Sequence, residues 1–446
     1  MISASHNPPA DNGFKAYWSN GAQVIPPHDK GIIAEVDRAD VIPIADFDQA
    51  TADGLIEIVG QELDAAYINA VAALSKTQQR EIRAVFTPLH GVGETSIYRI
   101  LQQAGFSGVD IFEDHRVPDG NFPNVPNHLP NPELTEVFDP VITWVQANNH
   151  PAELILASDP DADRLGVLVR DSKGSFIPIT GNQTGALITD YLLQKRAASG
   201  AASAEDYVVE TLVTTPLVQA VAGHYGARTF GELLVGFKWI AETIEQNGPE
   251  HFIFGCEESI GFLAGDYCRD KDGAIGALFI LELAAELKAQ GKTLLDHLDE
   301  LYRRHGYFVE GQKSIYCTGP TGKMKIDGLM QTLRDRPPQQ FGPVRFVEVA
   351  DYKTGRRSGI PRGESLGEIK YPRGDLLIYK SDPASPVRIQ IAGRPSGTEP
   401  KIKFYFFCQS DLPGGTDLNQ AKGAGDSVLK EVQTALKTWA DEQLGE

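Results

Sequence analysis

Asp159, Asp161 and Asp163 lie two residues apart in the segment Ser158-Asp159-Pro160-Asp161-Ala162-Asp163-Arg164-Leu165-Gly166. In an extended chain, residues i, i+2 and i+4 point to one side. That spacing predicts three carboxylates aimed at one point, with Pro160 stiffening the geometry. Like charges so arranged repel unless protons or a cation neutralise them. An all-oxygen ligand set selects a hard cation, Mg²⁺ before Ca²⁺ or Mn²⁺. A calcium-binding EF-hand begins with the same alternation but needs Gly at its sixth position and Glu at its twelfth. Those positions hold Arg164 and Arg170. The competing reading is a solvated acidic turn; three acids at this spacing between apolar strands favour the metal site.

Arg394-Pro395-Ser396-Gly397-Thr398 supplies a guanidinium fork, two hydroxyls and a glycine N–H, with Lys401 and Lys403 close behind. Those donors suit a phosphate, although a polar hairpin turn would use the same residues. Glu257 and Ser259 follow an apolar strand and suit hydrogen bonds to sugar hydroxyls. Glu257 with Glu258 also reads as a favourable helix start. Asp270 and Asp272 read as helix caps, and His90 as part of a plain strand-to-helix turn. Ser5 precedes His6, but adjacent residues of a strand face opposite ways, which argues against a Ser–His nucleophile pair. With a metal site and a phosphate loop elsewhere in the chain, a serine that carries a phosphoryl group is the better reading of Ser5.

These loops need elements to hold them. Glu153–Ala157 and Leu165–Val169 read as strands on either side of the acidic loop. Before them, residues 83–86 and 109–112 are expected strands, with helices over 60–75, 95–103 and 135–149. Further helices are expected over 183–195, 272–305 and 424–443. Strands are expected at 207–210, 252–254, 343–349, 387–392 and 402–408. Alternating strands and helices with a loop at a strand end describe an open α/β sheet carrying its site at that edge.

With 446 residues, the chain has room for roughly three domains. Hydrophobic residues make up 41% and charged residues 23%, and the net charge is −19. Such an acidic chain is not a general binder of nucleic acid or of an anionic membrane surface. An anionic substrate would need local Lys and Arg to overcome the global field. Cys256, Cys268, Cys317 and Cys408 have neither zinc nor CxxC spacing, and suit reduced residues of a cytoplasmic protein. No segment has the length and apolarity of a membrane span. Nothing in the sequence speaks to oligomeric state.

Taken in order, Ser-Ala-Ser-His-Asn-Pro-Pro from Ser3, Asp-Pro-Asp-Ala-Asp-Arg from Asp159, Glu-Glu-Ser from Glu257 and Arg-Pro-Ser-Gly-Thr-Glu-Pro-Lys from Arg394 resemble the α-D-phosphohexomutases. The branch the chain most resembles is the phosphoglucomutase/phosphomannomutase group. The resemblance covers nearly the whole chain. It implies an α/β multi-domain fold: three α/β sandwich domains of mixed sheet and a C-terminal α+β domain around a central cleft. On that pattern the domains span 1–78 (phosphoserine), 79–203 (metal), 204–315 (sugar) and 316–446 (phosphate). It further implies that Ser5 is the phosphoserine and that Asp159, Asp161 and Asp163 bind one Mg²⁺ with a phosphoserine oxygen. Lys15 would assist proton transfer. Lys238, Glu257 and Ser259 would read the sugar, and Arg164 would also contact substrate. Arg394, Ser396, Gly397 and Thr398 would hold the non-reacting phosphate. The implied reaction interconverts hexose 1-phosphate and hexose 6-phosphate through a sugar bisphosphate, with a glucose 1,6-bisphosphate-type activator.

In that family a long segment precedes the Ser-His-Asn-Pro loop, whereas four residues precede Ser5. The expectation is therefore a truncated first domain, short by about a hundred residues, and impaired activity. The alternatives are an inactive sugar-phosphate-binding protein, a phosphopentomutase and a metal-dependent phosphatase.

Overall fold

The computed structural model describes residues 1–317, 319–370, 373–396, 400–412 and 417–445. Two compact units are present, Met1–Thr184 with Gly236–Leu294, and Gly185–Val235 with Leu295–Glu446.

The first unit is built on a mixed sheet of β1 (Ala84–Thr87), β2 (Val109–Ile111), β3 (Leu154–Ser158), β4 (Leu165–Arg170) and β5 (Phe176–Ile179). The order is β2-β1-β3-β4-β5; β1 runs parallel to β2 and β3, and β4 runs antiparallel to both β3 and β5. All residues of β1 and β3 are buried, as expected of strands covered on both faces. Val85, Ile155, Ala157 and Leu168 pack with Val141 and Val145 of the helix Asp139–Ala147. Leu165 lies under Gly276 of the helix Gly273–Ala289, where a Cβ would come within 3.4 Å of its side chain. Ser158 pairs with Leu165, so the acidic loop is the turn that joins β3 to β4 at one edge of the sheet. Near the amino terminus are the helices α1 (His28–Asp37), α2 (Phe47–Ala52) and α3 (Gln61–Ala72). Residues 1–25 make isolated bridges, Ile2 with Phe14 and Tyr17 with Gln23, rather than a strand ladder.

The second unit contains a strand-helix-strand piece, Tyr207–Thr211, Pro216–His224 and Arg228–Leu233, whose two strands are parallel. Its larger part is an antiparallel sheet ordered Tyr307–Tyr316, Lys401–Ser410, Val387–Pro395, Leu377–Ser381, Val344–Asp351, Arg356–Gly359 and Ser365–Glu368. Leu329 and Leu333 of the helix Gly322–Asp335, with Leu429, Val432 and Leu436 of the helix Leu418–Leu444, cover one face. Helices packed on one face of an antiparallel sheet make this part α+β, as expected.

Most expected elements shift by a few residues at their ends, and two differ for a reason that a single residue explains. The helix expected over 272–305 is two helices, Gly273–Ala289 and Leu294–His305. Between them Gly291 takes φ 73°, the left-handed conformation that closes a helix C-terminus. The terminal helix starts earlier than expected, at Leu418, because the Asp417 carboxylate accepts the Asn419 N–H. Gly423 and Gly425 lie inside it; at Gly425 a Cβ would come within 3.1 Å of the Tyr307 ring.

Glu310 in the second unit gives a stability prediction away from any site. Burial pushes its carboxyl up to about 7 from 4.5, against the opposing hydrogen bond donated by Thr215 Oγ1 at 2.5 Å. The folded chain then keeps this proton up to about pH 7, whereas the unfolded chain releases it near 4.5. Stability therefore falls as pH rises through that window. Glu310→Gln keeps an oxygen for Thr215 and removes the charge. At pH 8 it should be more stable than the parent by roughly 1–3 kcal/mol, and the gain should vanish below pH 4.5. Urea midpoints at the two pH values check this.

Candidate active site

The acidic loop brings its carboxylates together by turning, not by the extended alternation expected from the sequence. Ala162 N–H donates to Asp159 O at 2.9 Å, and Ala162 takes φ 59°. The Asp159 carboxylate also accepts the Arg164 N–H at 3.1 Å. Ligand oxygens of Asp159, Asp161 and Asp163 lie within 4.8 Å of one another.

Asp159 is fully buried. Burial first, then the charges of Asp163 and Asp161, push its carboxyl well above the usual range. Burial also acts to raise Asp161, but Lys15 and the Ser3 hydroxyl outweigh it and hold that carboxyl low. Asp161 Oδ1 and Asp163 Oδ1 are buried with no hydrogen-bond partner among the described residues. Buried carboxylate oxygens are normally satisfied, so two such orphans beside a third acid fit a hard cation. Ammonium groups already compensate part of the charge. Lys15 Nζ stands 3.1 Å from Asp161 Oδ2 and from Asp163 Oδ2, and Lys271 Nζ stands 2.8 Å from Asp163 Oδ2.

Ser5 is brought to this cluster from 154 residues away. Its Oγ donates to Asp159 Oδ2 at 2.9 Å and lies 3.1 Å from His6 Nδ1. The Ser5–His6 contact corrects the expectation that the two side chains diverge. Ser5 takes φ 53°, so the pair is in a turn and not in a strand. Burial, then Arg164, pushes His6 down to about 4, so its imidazole is neutral at physiological pH. A cavity of about 570 Å³ opens here, lined by Ser3, Ser5, Asn7, Phe122, Pro160 and Asp161. That is within the range of small-molecule sites.

Glu257 ends the strand Phe252–Glu257 and is buried, with Oε1 accepting the Gly236 N–H at 2.9 Å. Burial pushes its carboxyl up, against Lys271 and Arg164. Ser259 is half-buried in the turn between that strand and Gly261–Leu263. This turn is fastened to the acidic loop by the Leu165 N–H to Ile260 O bond of 3.1 Å and by a bridge between Arg164 and Gly261. The Arg164 guanidinium bonds Glu133 Oε1 at 2.9 Å and lies 3.8 Å from Asp159 and Asp163. Lys238 stands apart from the acids: its Nζ is 3.8 Å from Asp29 Oδ2 and 5.3 Å from the Trp239 ring. It lines a separate cavity with Trp18 and His28.

In the second unit, Arg394 lies near the end of the strand Val387–Pro395, and its Nε is buried with no hydrogen-bond partner among the described residues. Ser396 N–H donates to Lys401 O at 2.8 Å. Gly397 and Thr398 lie outside the described residues. Asp272 caps the helix Gly273–Ala289, as expected, by accepting the Ala274 N–H. Asp270 caps nothing; it receives the Tyr17 hydroxyl at 2.8 Å. His90 stays in its turn at φ 63°, with Nδ1 2.7 Å from Val117 O.

Lys271 is the residue that sequence reasoning missed. Burial alone would lower its ammonium, but Asp163, Asp270 and Glu257 overcome that and hold it above the ordinary lysine range. The signal was available, since a lone Lys between Asp270 and Asp272 should be paired if buried. Ser3 was likewise passed over, and its hydroxyl donates to Asp161 Oδ2 at 2.7 Å.

Gly91 supports the loop from outside. A Cβ there would fall 2.2 Å from Pro160 Cα and 2.4 Å from Pro160 O. Backbone cannot yield as a side chain end can, so Gly91→Ala should shift Asp159 and Asp161. The expected result is about a hundredfold loss in kcat with a destabilisation of roughly 1–3 kcal/mol. Steady-state kinetics and thermal unfolding check both.

The model of phosphoglucomutase/phosphomannomutase α/β/α domain I matches residues 1–42, that of domain II residues 65–174 and that of domain III residues 180–305. The chain is 35% identical over 422 residues to a Haemophilus influenzae protein named "Probable phosphomannomutase", covering 94% of this chain and 78% of that one. It is 33% identical over 416 residues to a phosphoglucomutase of Staphylococcus epidermidis, covering 92% of this chain and 73% of that one. The fold matches a phosphoglucomutase/phosphomannomutase family protein from Burkholderia thailandensis with a TM-score of 0.62 at 18% identity, covering 99% of this chain and 75% of that one. With relatives this similar over most of its length, and with serine, acidic and lysine side chains gathered at one sheet edge, the chain belongs to the phosphoglucomutase/phosphomannomutase family of phosphosugar mutases.

Proposed function

We propose that the chain interconverts hexose 1-phosphate and hexose 6-phosphate, with Ser5 as the residue that carries the phosphoryl group. The observation behind this is the 2.9 Å bond from Ser5 Oγ to Asp159 Oδ2. It sets the serine that the resemblance names as nucleophile against the three-carboxylate cluster. Phosphoserine 5 gives its phosphoryl group to a sugar hydroxyl: the P–Oγ bond breaks, a P–O bond to the sugar forms, and the proton that the sugar hydroxyl loses balances the one that Oγ takes. The bisphosphate turns round and returns its other phosphoryl group to Ser5. Lys15 enters as an ammonium, because Asp163 and Asp161 hold it above the ordinary lysine range despite its burial. It can therefore give a proton to a departing oxygen but cannot begin as the base. Glu257 and Ser259 read sugar hydroxyls, with Lys238 and Arg164 as further substrate contacts. Arg394, Ser396, Gly397 and Thr398 grip the phosphate that is not transferred.

Asp159, Asp161 and Asp163 would hold one Mg²⁺, which neutralises charge on a phosphoryl group in transfer, an effect of several kcal/mol. A glucose 1,6-bisphosphate-type molecule would charge Ser5. Four functional domains, 1–78, 79–203, 204–315 and 316–446, divide these tasks. The reaction fits the cytoplasm, where thiols stay reduced; among the described residues the cysteines form no disulfide. Among the described residues no helix is long and apolar enough to cross a membrane.

The test is an assay on glucose 1-phosphate with Mg²⁺ and trace glucose 1,6-bisphosphate, with intact mass of the protein before and after. Glucose 6-phosphate and one added phosphoryl group on the chain are expected. Inorganic phosphate instead of isomer would make the protein a phosphatase, and no turnover of any sugar phosphate would leave only binding.

A further inference from the structure

Ser3 lies two residues before Ser5, and its side chain makes two bonds at once. Its Oγ accepts the Ser5 N–H at 2.9 Å and donates to Asp161 Oδ2 at 2.7 Å. A hydroxyl has one proton and two lone pairs, so both bonds can form together. The backbone of Ser3 is itself fixed: its N–H donates to Gly13 O at 3.0 Å, and its carbonyl oxygen sits 2.3 Å from where a Cβ on Gly13 would be. Ser3 therefore has little freedom to drift. Ser5, by contrast, takes φ 53°, a conformation that a non-glycine residue adopts at some cost. Such a conformation persists when neighbours hold it, and the Ser5 N–H has its acceptor in Ser3 Oγ.

We infer that Ser3 is a positioning residue for phosphoryl transfer, its hydroxyl joining the backbone of the nucleophile to the Asp161 carboxylate. The inference rests on the mutase reading of Ser5. One hydroxyl then sets two things the reaction needs to agree: where Ser5 Oγ points, and where the carboxylate of a metal-binding acid sits. Ser3→Ala removes both bonds and leaves Asp161 its Lys15 partner. Ser3→Thr keeps the hydroxyl.

Three measurements on the full chain test this. In Ser3→Ala, kcat for glucose 1-phosphate should fall about a hundredfold, with KM and the thermal midpoint little changed. In Ser3→Thr, kcat should return to within about threefold of the parent. Hydrogen exchange of the segment holding the Ser5 amide should speed up in Ser3→Ala and not in Ser3→Thr, since the amide loses its acceptor only in the former. Exchange does not depend on turnover, so it separates the two ideas. Unchanged exchange and unchanged kcat in Ser3→Ala would overturn the role of Ser3 while the mutase reading stands. Equal losses in both variants with a lowered midpoint would reduce Ser3 to a packing role and overturn the inference as well. An unsubstituted chain that takes up no phosphoryl group and forms no isomer would remove the mutase reading, and the inference with it.

Discussion

Ser5→Ala should abolish isomer formation, lowering kcat by roughly four to six orders of magnitude, the range seen when a covalent nucleophile is deleted. The chain should no longer gain a phosphoryl group from glucose 1,6-bisphosphate, which intact mass reads directly. The fold should survive, because Ser5 is only partly buried and its Oγ bonds go to the acidic cluster and to its neighbour His6. KM for the sugar phosphate should change little, since binding falls to other loops. Full turnover by this variant would place the phosphoryl carrier elsewhere.

Asp159→Asn carries the second large effect, with opposite signs for activity and stability. Asparagine keeps an oxygen for the Arg164 N–H, which meets Oδ1, and puts an amide NH₂ in place of Oδ2, where the Ser5 hydroxyl can accept a bond instead of donating one. It removes a charge that is fully buried and flanked by Asp161 and Asp163. Without metal, the variant should unfold at the same or a higher temperature than the parent, because a desolvated like-charge contact is relieved. With metal the order reverses. The parent should gain thermal stability from added Mg²⁺ by mass action, and the variant should gain much less. Its kcat should fall by about three orders of magnitude, in line with several kcal/mol of lost charge stabilisation. Thermal unfolding with and without Mg²⁺, beside kinetics over a Mg²⁺ series, gives both signs. A variant that responds to Mg²⁺ as the parent does would remove Asp159 from the ligand set.

The parts of this site that could be read in the sequence were those written over a few neighbouring residues. The acidic loop was legible because two apolar strands bracket it, and the Asp272 cap because a helical pattern follows it. What was not legible depends on the chain returning to itself. Lys271 Nζ meets Asp163 across 108 positions; its acidic neighbours signal that it is paired, but nothing local says with which residue. The Ser5–His6 contact was misjudged for a conformational reason: alternation holds for strands, and the left-handed φ of Ser5 cancels it. The same error underlies the acidic loop, where the three carboxylates converge as expected but through a turn and not an extended segment. In the fold, strand positions were easier than helix ends, since Gly291 and Asp417 act through single-residue conformation and capping.

The bond between Leu165 N–H and Ile260 O has a consequence for how this protein can change over generations. It ties the turn carrying Ser259 to the strand that begins after Arg164, so a substitution that reshapes one loop moves the other. On the proposed roles of Ser259 as a sugar contact and of the acidic loop as a metal site, variants selected for a new sugar would arrive with altered metal dependence, and compensating changes would cluster around Arg164 and Gly261. Paired substitutions across this seam should be strongly epistatic. Directed evolution that randomises the two loops together should therefore find active combinations that stepwise libraries miss.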